Sequence, residues 1–226
     1  MAEFLLMPRA METDQGSVFL HSIIEEVIRM SETVNNMIEA VHLSSGKSKW
    51  NWDTVNLQST CDEAMGNLGH SVDRTKVKLT CEVQPPELTM QGDAMSISQL
   101  IMNLLGNAIR HTPEGFIHIS VRGRQELEGT PIEIEVSDSG EGIPHDLINK
   151  LGGTFELNAG CIGSDHVQGA GLGLVICNGI AAAHGGLISV QSAEEVGSVF
   201  TVEMHADLAE PMAIAGTVRI VRKEIS

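Results

Sequence analysis

The sequence predicts an α/β protein, a two-layer sandwich in which helices cover one face of a mixed β-sheet, preceded by a long amphipathic helix. Three observations predict it. Apolar spacing switches along the chain between the 3.6-residue period of helices and the 2-residue period of strands. The resulting order, helix, strand, helix, strand, strand, loop, helix, strand, strand, is that of layers built on one sheet. The 226 residues are 42% hydrophobic and only 3% aromatic, which suits a core made mainly of aliphatic side chains.

The first helix runs from Ser17 to about Val41. Leu20, Ile23, Val27, Met30, Val34, Met37 and Val41 recur there at alternating intervals of three and four, a heptad seam that needs a second helix or a second copy against it. The polar stretch Leu43-Ser-Ser-Gly-Lys-Ser-Lys49 breaks the period and reads as a linker, with a boundary near 45–52. The expected organisation is a seamless N-terminal segment 1–16, the helix and linker 17–50, a main domain 51–206 and a tail 207–226.

Within the main domain, Leu57, Cys61, Ala64, Met65 and Leu68 keep helical spacing, and Val77, Leu79, Cys81 and Val83 alternate as a strand. A second helix starts behind Gly92-Asp93, whose aspartate suits an N-cap, runs through Ser98–Arg110 and ends before Pro113. Ile117, Ile119 and Val121 pair with Ile132, Ile134 and Val136 as an antiparallel hairpin around Glu128-Gly129. Nine glycines crowd the stretch from Gly140 to Gly173, which predicts a loop without a packed element, ending where the apolar run Val175–Ala183 forms a helix. Strands follow at Leu187–Gln191 and Val199–Met204. Val218, Ile220 and Val221 make the tail either an added strand or a link to a further domain.

Fourteen Lys and Arg against thirty Asp and Glu give a formal charge of −16, which argues against binding nucleic acid or an anionic membrane surface. No apolar run approaches the ~18 residues that span a bilayer, and no signal peptide precedes the helix. A soluble, cytoplasmic region is expected. Cys61, Cys81, Cys161 and Cys177 stand far apart in the chain with no C-x-x-C pair, and read as reduced structural thiols. His70, His118, His145, His166, His184 and His205 form no spaced ligand set.

Three short segments carry chemistry. Asn103-Leu-Leu-Gly-Asn107 sets two carboxamides one turn apart on one helical face, with Arg110 and His111 a turn later. A carboxamide oxygen is a hard neutral ligand for magnesium already held by phosphate, although such a residue can equally bond a neighbouring backbone group. Val136-Ser-Asp138-Ser-Gly140-Glu-Gly142-Ile-Pro144 puts a carboxylate at a strand end, able to accept from an exocyclic amine such as that of adenine or to form a local Asx turn. Gly169-Ala-Gly171-Leu-Gly173-Leu174 precedes a helix, where backbone N–H groups without side chains suit phosphate. A Rossmann reading of these glycines fails, because they follow a loop and no acidic residue ends a strand about 20 residues on.

In this order and at these separations, NLLGNAIRHT, DSGEGIP, GAGLGL and Gly197-Ser-Val-Phe200 resemble the N box and successive glycine boxes of the sensor histidine kinase ATP-binding domain, over roughly residues 55–205. The resemblance implies a Bergerat-type sandwich that holds ATP and magnesium between its helices and a lid. It also implies that helix 17–43 is the second helix of the dimerisation and phosphoacceptor hairpin. By position, Asn107 is similar to the magnesium-ligating Asn and Asn103 to a second contact on that face. Arg110 matches a basic residue near the phosphates, and His111 an aromatic position beside the adenine. Asp138 matches the acid that reads the adenine amine, with Ser198 beside it through its hydroxyl. Gly140 and Gly142 border the base, and Gly169, Gly171, Leu172 and Gly173 match the lid hinge and phosphate loop.

Related hydrolytic ATPases place Glu where this chain has Asn103, and a carboxamide cannot activate water. The implied reaction is therefore transfer of the γ-phosphoryl of Mg-ATP to a protein histidine. No catalytic side chain is identified in the chain itself. It has no H-E-x-x-x-P acceptor box, and His21, followed by Ser-Ile-Ile, is a poor substitute, so the acceptor helix is expected outside these residues. Thr154-Phe155-Glu156 is the sole remnant of the family's phenylalanine box. No Lys or Arg stands between Lys150 and Arg219, so the lid brings no cation. The implied partners are the parent kinase's hairpin, a response regulator and a second copy through 17–43. The rival readings are a nucleotide-binding pseudokinase and a scaffold that uses only the heptad helix.

Overall fold

The computed structural model describes residues 14–44, 48–123, 131–144, 154–155, 170–212 and 218–222. The chain divides into two compact units, Met1–Glu39 and Ala40–Ser226. The first is described by α1, Asp14–Ser44, which starts three residues before the predicted helix and ends three after it. Its seam residues Ile23, Val27, Met30 and Val34 are exposed, as a face that awaits another helix would be.

The second unit begins in the last turn of α1, where Ala40 and Leu43 are buried in its core. Strand β1, Trp52–Asn56, pairs antiparallel with β3, Thr89–Asp93, from Trp52 opposite Asp93 to Asn56 opposite Thr89. This two-stranded sheet was not predicted from the sequence. Each strand hands directly to a helix. Asn56 caps α2, Leu57–Leu68, by accepting from the Ser59 N–H at 2.9 Å, and Asp93 caps α3, Ala94–His111, by accepting from the Ser96 N–H at 2.8 Å.

The main sheet contains β2 (Val77–Gln84), β4 (Gly115–Gly123), β5 (Pro131–Asp138), β6 (Thr154–Phe155), β7 (Leu187–Ala193), β8 (Gly197–His205) and β9 (Val218–Arg222), in the order β2-β4-β5-β8-β7-β9-β6. β2 runs parallel to β4 and β7 parallel to β9; every other pair is antiparallel, so the sheet is mixed as predicted. The hairpin register sets Ile119 opposite Val136 and Val121 opposite Ile134; its turn at Glu128-Gly129 lies outside the described residues. One face of the sheet, with Ile117, Ile119, Ile134, Val136, Val190 and Val202, closes on α2, α3 and α4, Ala170–Ala183. This is the single aliphatic core that the composition requires.

Two predictions need correction. The glycine-rich stretch is not wholly without regular structure, because Thr154–Phe155 pairs with Val218–Arg219. Two residues suffice once a partner strand supplies their backbone bonds. Helix α4 starts at Ala170 rather than Val175, so Gly171, Leu172 and Gly173 are helical residues and not loop. The tail contributes a strand, β9, one of the alternatives left open for it.

The linker packs on the far end of α4. His184, fully buried, holds its Nδ1 2.8 Å from the Ile180 carbonyl oxygen, and a carbonyl can only accept, so Nδ1 carries the proton. Nε2 is then free to accept from the Asp93 N–H at 3.3 Å. Trp52 stacks on the imidazole at 4.5 Å between ring centroids and donates its indole N–H to the Leu208 carbonyl; Trp50 meets the same ring edge-on. Burial pushes the His184 pKa below its ordinary value, against the Ile180 bond and the Asp93 charge.

Candidate functional site

Helix α3 buries Ile97, Leu100, Ile101, Leu104, Leu105 and Ala108 against the sheet, which leaves Asn103 and Asn107 half-buried on its flank, one turn apart. Among the described buried side chains only two polar atoms lack a hydrogen-bond partner, Asn103 Nδ2 and Thr112 Oγ1. An enclosed donor left unpaired costs about 1–3 kcal/mol, so the Asn103 amide group is suited to an acceptor brought by a ligand. Asn107 keeps its Oδ1 toward the Arg110 guanidinium, which donates to it at 3.0 Å. That oxygen has a second lone pair. Arg110 itself is exposed.

The first turn of α4 lies beside this face. A Cβ on Gly173 would stand 3.8 Å from Asn103 Cγ, an ordinary contact, so the carboxamide and the start of the glycine helix are neighbours. The first four N–H groups of a helix have no partner within it, and in α4 they belong to Ala170, Gly171, Leu172 and Gly173. The fold thus brings together two segments that stand more than sixty residues apart in the chain. Gly169 lies outside the described residues.

Asp138 ends β5 between Ile117 on β4 and Ser198 on β8. It is 8% exposed and accepts from the Gly140 N–H at 2.9 Å. Burial pushes its carboxyl above the usual carboxylate range, against the backbone N–H groups of Gly140 and Ser198, the nearby His111 and the Thr112 hydroxyl, which lies close to the carboxylate without meeting the geometry of a hydrogen bond. The expected hydroxyl contact from Ser198 is not made: Ser192 donates to the Gly197 carbonyl at 2.8 Å, and the Ser198 hydroxyl lies 3.0 Å from Ser192 Oγ. Ser198 reaches the carboxylate through its backbone because the antiparallel register places the two residues opposite one another.

Both glycines after Asp138 are demanded by the protein's own backbone. A Cβ on Gly140 would stand 2.2 Å from the His111 carbonyl oxygen, and one on Gly142, where φ is +70°, would stand 2.0 Å from that of Ala193. The segment also grips the end of α3: the Glu141 N–H donates to the His111 carbonyl at 3.2 Å, and the Glu141 carboxylate meets His111 Nδ1 at 2.6 Å. Thr112, 2% exposed, sits beneath Gly140. Sequence reasoning passed over it, although its place between His111 and Pro113 marks the helix stop where an enclosed hydroxyl is left without a helical partner.

Among the described residues no cluster of three or more His, Cys, Asp or Glu could hold a metal ion. The carboxamide oxygens suit a cation already held by phosphate rather than one caged by the protein, and backbone N–H groups at a helix start suit the phosphate itself. No described helix is long and apolar enough to cross a membrane.

Comparison with known proteins agrees with this geometry. Residues 92–208 match the family described as histidine kinase-, DNA gyrase B-, and HSP90-like ATPase. An uncharacterised sensor-like histidine kinase of Rhizobium meliloti is 28% identical over 200 residues, 87% of this chain and 37% of that protein. The signal transduction histidine-protein kinase BarA of Escherichia coli is 33% identical over 201 residues, 87% of this chain and 22% of BarA. The chain thus spans less than half the length of these relatives. The solved catalytic domain of the histidine kinase ThkA superposes with a TM-score of 0.57 at 28% identity, over 70% of this chain and 97% of that one. ThkA in complex with the response regulator protein TrrA shares the fold, with a TM-score of 0.64 at 23% identity over 91% of this chain and 54% of that one. The matched span contains the carboxamide face of α3, Asp138 and the glycine-led helix α4, so the chain belongs to the family of histidine kinase-, DNA gyrase B- and HSP90-like ATPases and carries the ATP-binding catalytic domain of a sensor histidine kinase.

Proposed function

We propose that this domain transfers the γ-phosphoryl group of Mg-ATP to a histidine on the phosphoacceptor hairpin of its parent kinase, in the cytoplasm, for relay to a response regulator. The observation that carries the reading is the carboxamide pair on α3, with Asn rather than Glu at 103 and an enclosed Asn103 Nδ2 without a partner, beside the first turn of α4, whose N–H groups have no partner within the helix. A site that hydrolyses ATP needs a base to activate water, whereas phosphoryl transfer needs chiefly positioning and charge neutralisation.

Each residue has a role that its surroundings support. Asp138 accepts from the adenine amine, and His111, held by Glu141, flanks the base. The Asn103 amide donates to a phosphate oxygen, as do the N–H groups of Gly171, Leu172 and Gly173. Asn107 offers its oxygen to magnesium, and Arg110, already bonded to that oxygen, stands ready to turn to the phosphates. Bound magnesium would supply neutralisation of the phosphate charge. Gly140, Gly142 and Ser198 hold the floor on which Asp138 sits. Gly169 completes the phosphate segment. The exposed seam of α1 dimerises through residues 17–43.

The test uses the full chain with [γ-³²P]ATP and a separately supplied hairpin of the parent kinase. Label is expected on the hairpin histidine and not on this chain, and Asn107→Asp, which adds charge beside the phosphates, is expected to impair transfer. Saturable ATP binding without label on the hairpin would replace the kinase reading by a nucleotide-binding pseudokinase. Label on His21 would overturn the assignment of the acceptor to another helix.

A further inference from the structure

Two enclosed polar atoms lack a partner among the described residues, and a phosphate oxygen accounts for only one of them, Asn103 Nδ2; the other is Thr112 Oγ1. Thr112 is the C-cap of α3, with φ −120° and ψ 84°, and is 2% exposed. Leaving the helix takes its hydroxyl away from the carbonyl four residues back, the acceptor that a helical Thr ordinarily uses. The adjacent carbonyl, that of His111, already accepts from the Glu141 N–H at 3.2 Å. On the other side of the hydroxyl is the turn after β5, where a Cβ on Gly140 would stand 2.9 Å from Thr112 Oγ1. Gly140 is also the residue whose N–H donates to the Asp138 carboxylate at 2.9 Å, so hydroxyl and carboxylate abut the same glycine.

Asp138, for its part, is short of a hydroxyl donor. Ser192 gives its one proton to the Gly197 carbonyl at 2.8 Å, so Ser198 is the donor in the 3.0 Å contact between the two hydroxyls and has no proton left for the carboxylate. A buried donor without an acceptor and a buried carboxylate without its expected donor therefore stand together at the end of α3. The Thr112 side chain favours the ionised carboxylate against its burial, in the same sense as the Gly140 N–H.

We propose that Thr112 is a positioning residue for adenine recognition: in the nucleotide-bound domain its hydroxyl donates to the Asp138 carboxylate and fixes the oxygen that accepts from the adenine amine. That role rests on Asp138 being the residue that reads the amine. An ionised carboxylate only accepts, and it has lone pairs enough for the Gly140 N–H, the hydroxyl and the amine together. A protonated one would turn a donor toward the amine. The titratable groups around Asp138 are His111 at the end of α3 and Glu141 in the turn after β5, bonded to each other at 2.6 Å. The flanking strands set Ile117 and Ser198 opposite it, neither of which titrates. A change at Thr112 alone leaves all of these in place.

The full chain is titrated calorimetrically with magnesium-ATP and with the magnesium complex of purine riboside triphosphate, which lacks the amine, over about pH 4.5 to 8. The wild type is expected to prefer ATP. Thr112→Val, which keeps the shape without the hydroxyl, is expected to bind ATP roughly 5- to 10-fold more weakly, as for the loss of one hydrogen bond. It should bind the amine-free nucleotide as the wild type does, and on acidification it should lose ATP affinity at a higher pH. Thr112→Ser is expected to bring back most of the ATP affinity and the wild-type pH profile. Without nucleotide, Thr112→Val is expected to unfold at the same temperature as the wild type or higher, because an enclosed hydroxyl without a partner is removed. Equal weakening toward both nucleotides, or a lower unfolding midpoint with no change in the pH profile, would overturn the proposal in favour of a packing role. Unchanged ATP affinity would remove Thr112 from the site. A wild-type chain that does not distinguish the two nucleotides would instead overturn the reading of Asp138, and the positioning role with it.

Discussion

Asp138→Asn keeps the shape of the side chain and removes its charge. In the wild type the carboxylate accepts from the Gly140 N–H at 2.9 Å, with the Ser198 backbone and the Thr112 side chain also acting on it, and a carboxylate has lone pairs for a further donor such as the adenine amine. Asparagine has one acceptor oxygen. If that oxygen stays with Gly140, the NH₂ group faces the amine donor to donor; if it turns to the amine, the NH₂ group meets the Gly140 N–H. One hydrogen bond to a charged group is lost either way, about 1.5–3 kcal/mol, or a rise in Kd of roughly 10- to 150-fold. Stability moves the other way. Burial raises the folded-state pKa of Asp138 above its ordinary value of 3.8, so the folded chain holds this proton to higher pH than the unfolded chain, and the group's contribution falls as pH rises through that window. The ligand-free variant is therefore expected to be as stable as the wild type or more so at pH 7, and the difference closes as pH falls toward 3.8. Calorimetric titration with a non-hydrolysable ATP analogue and thermal unfolding from pH 3 to pH 8 (about five units, spanning the carboxylate range) measure both. Unchanged affinity would remove Asp138 from the site, and parallel loss of affinity and stability would show that the carboxylate serves the fold instead.

Gly142→Ala forces a side chain into a left-handed position against the Ala193 carbonyl and is expected to lower stability by about 2–4 kcal/mol, read as a shift in urea midpoint at unchanged slope. His184, with a pKa below its ordinary 6.5, stays neutral in the fold while the unfolded chain protonates, so stability is expected to fall as pH drops below 6.5; His184→Gln should flatten that part of the profile, and an unaltered profile would assign the loss to other groups. Val27 and Val34, 60% and 54% exposed on α1, are expected to be covered by a second copy in solution, so that replacing both with Lys makes a sedimenting dimer monomeric. A monomer before the change would refute that pairing.

Local signals explain which parts of the fold could be read from the sequence. Asp93 before an apolar period announced α3, and the alternation of Ile117–Val121 and Ile132–Val136 announced the hairpin, because each signal lies in a short continuous stretch of chain. The β1–β3 pair is different. Trp52–Asn56 and Thr89–Asp93 are short, mostly polar strands that acquire their partners across a separation no local pattern records. The parallel pairing of β2 with β4 has the same cause, since α3 intervenes. At the site, Asn103, Asn107 and Asp138 stood out as polar groups at regular positions. The Ser198 hydroxyl was misplaced because its partner Ser192 lies across a turn whose geometry depends on Gly197 at φ +125°. The glycines of DSGEGIP, expected to border the base, are also required by steric exclusion from the His111 and Ala193 carbonyls, which no local pattern records.

The last turn of α1 decides where this domain can be excised. Leu43 is 5% exposed, and a Cβ on Gly179 would meet its Cδ1 at 3.1 Å, so the glycine is a notch in α4 cut to receive that leucine. A fragment that began at residue 51 would lack Ala40, Leu43 and Trp50, leaving the notch empty and one edge of the His184 ring bare. Exposing a buried Leu alone forfeits about 1.5–3 kcal/mol, a large part of the margin by which an ordinary domain stays folded. The polar linker that looks like a natural cut point is therefore a false seam: the material boundary of the ATP-binding body lies upstream of it, inside a continuous helix.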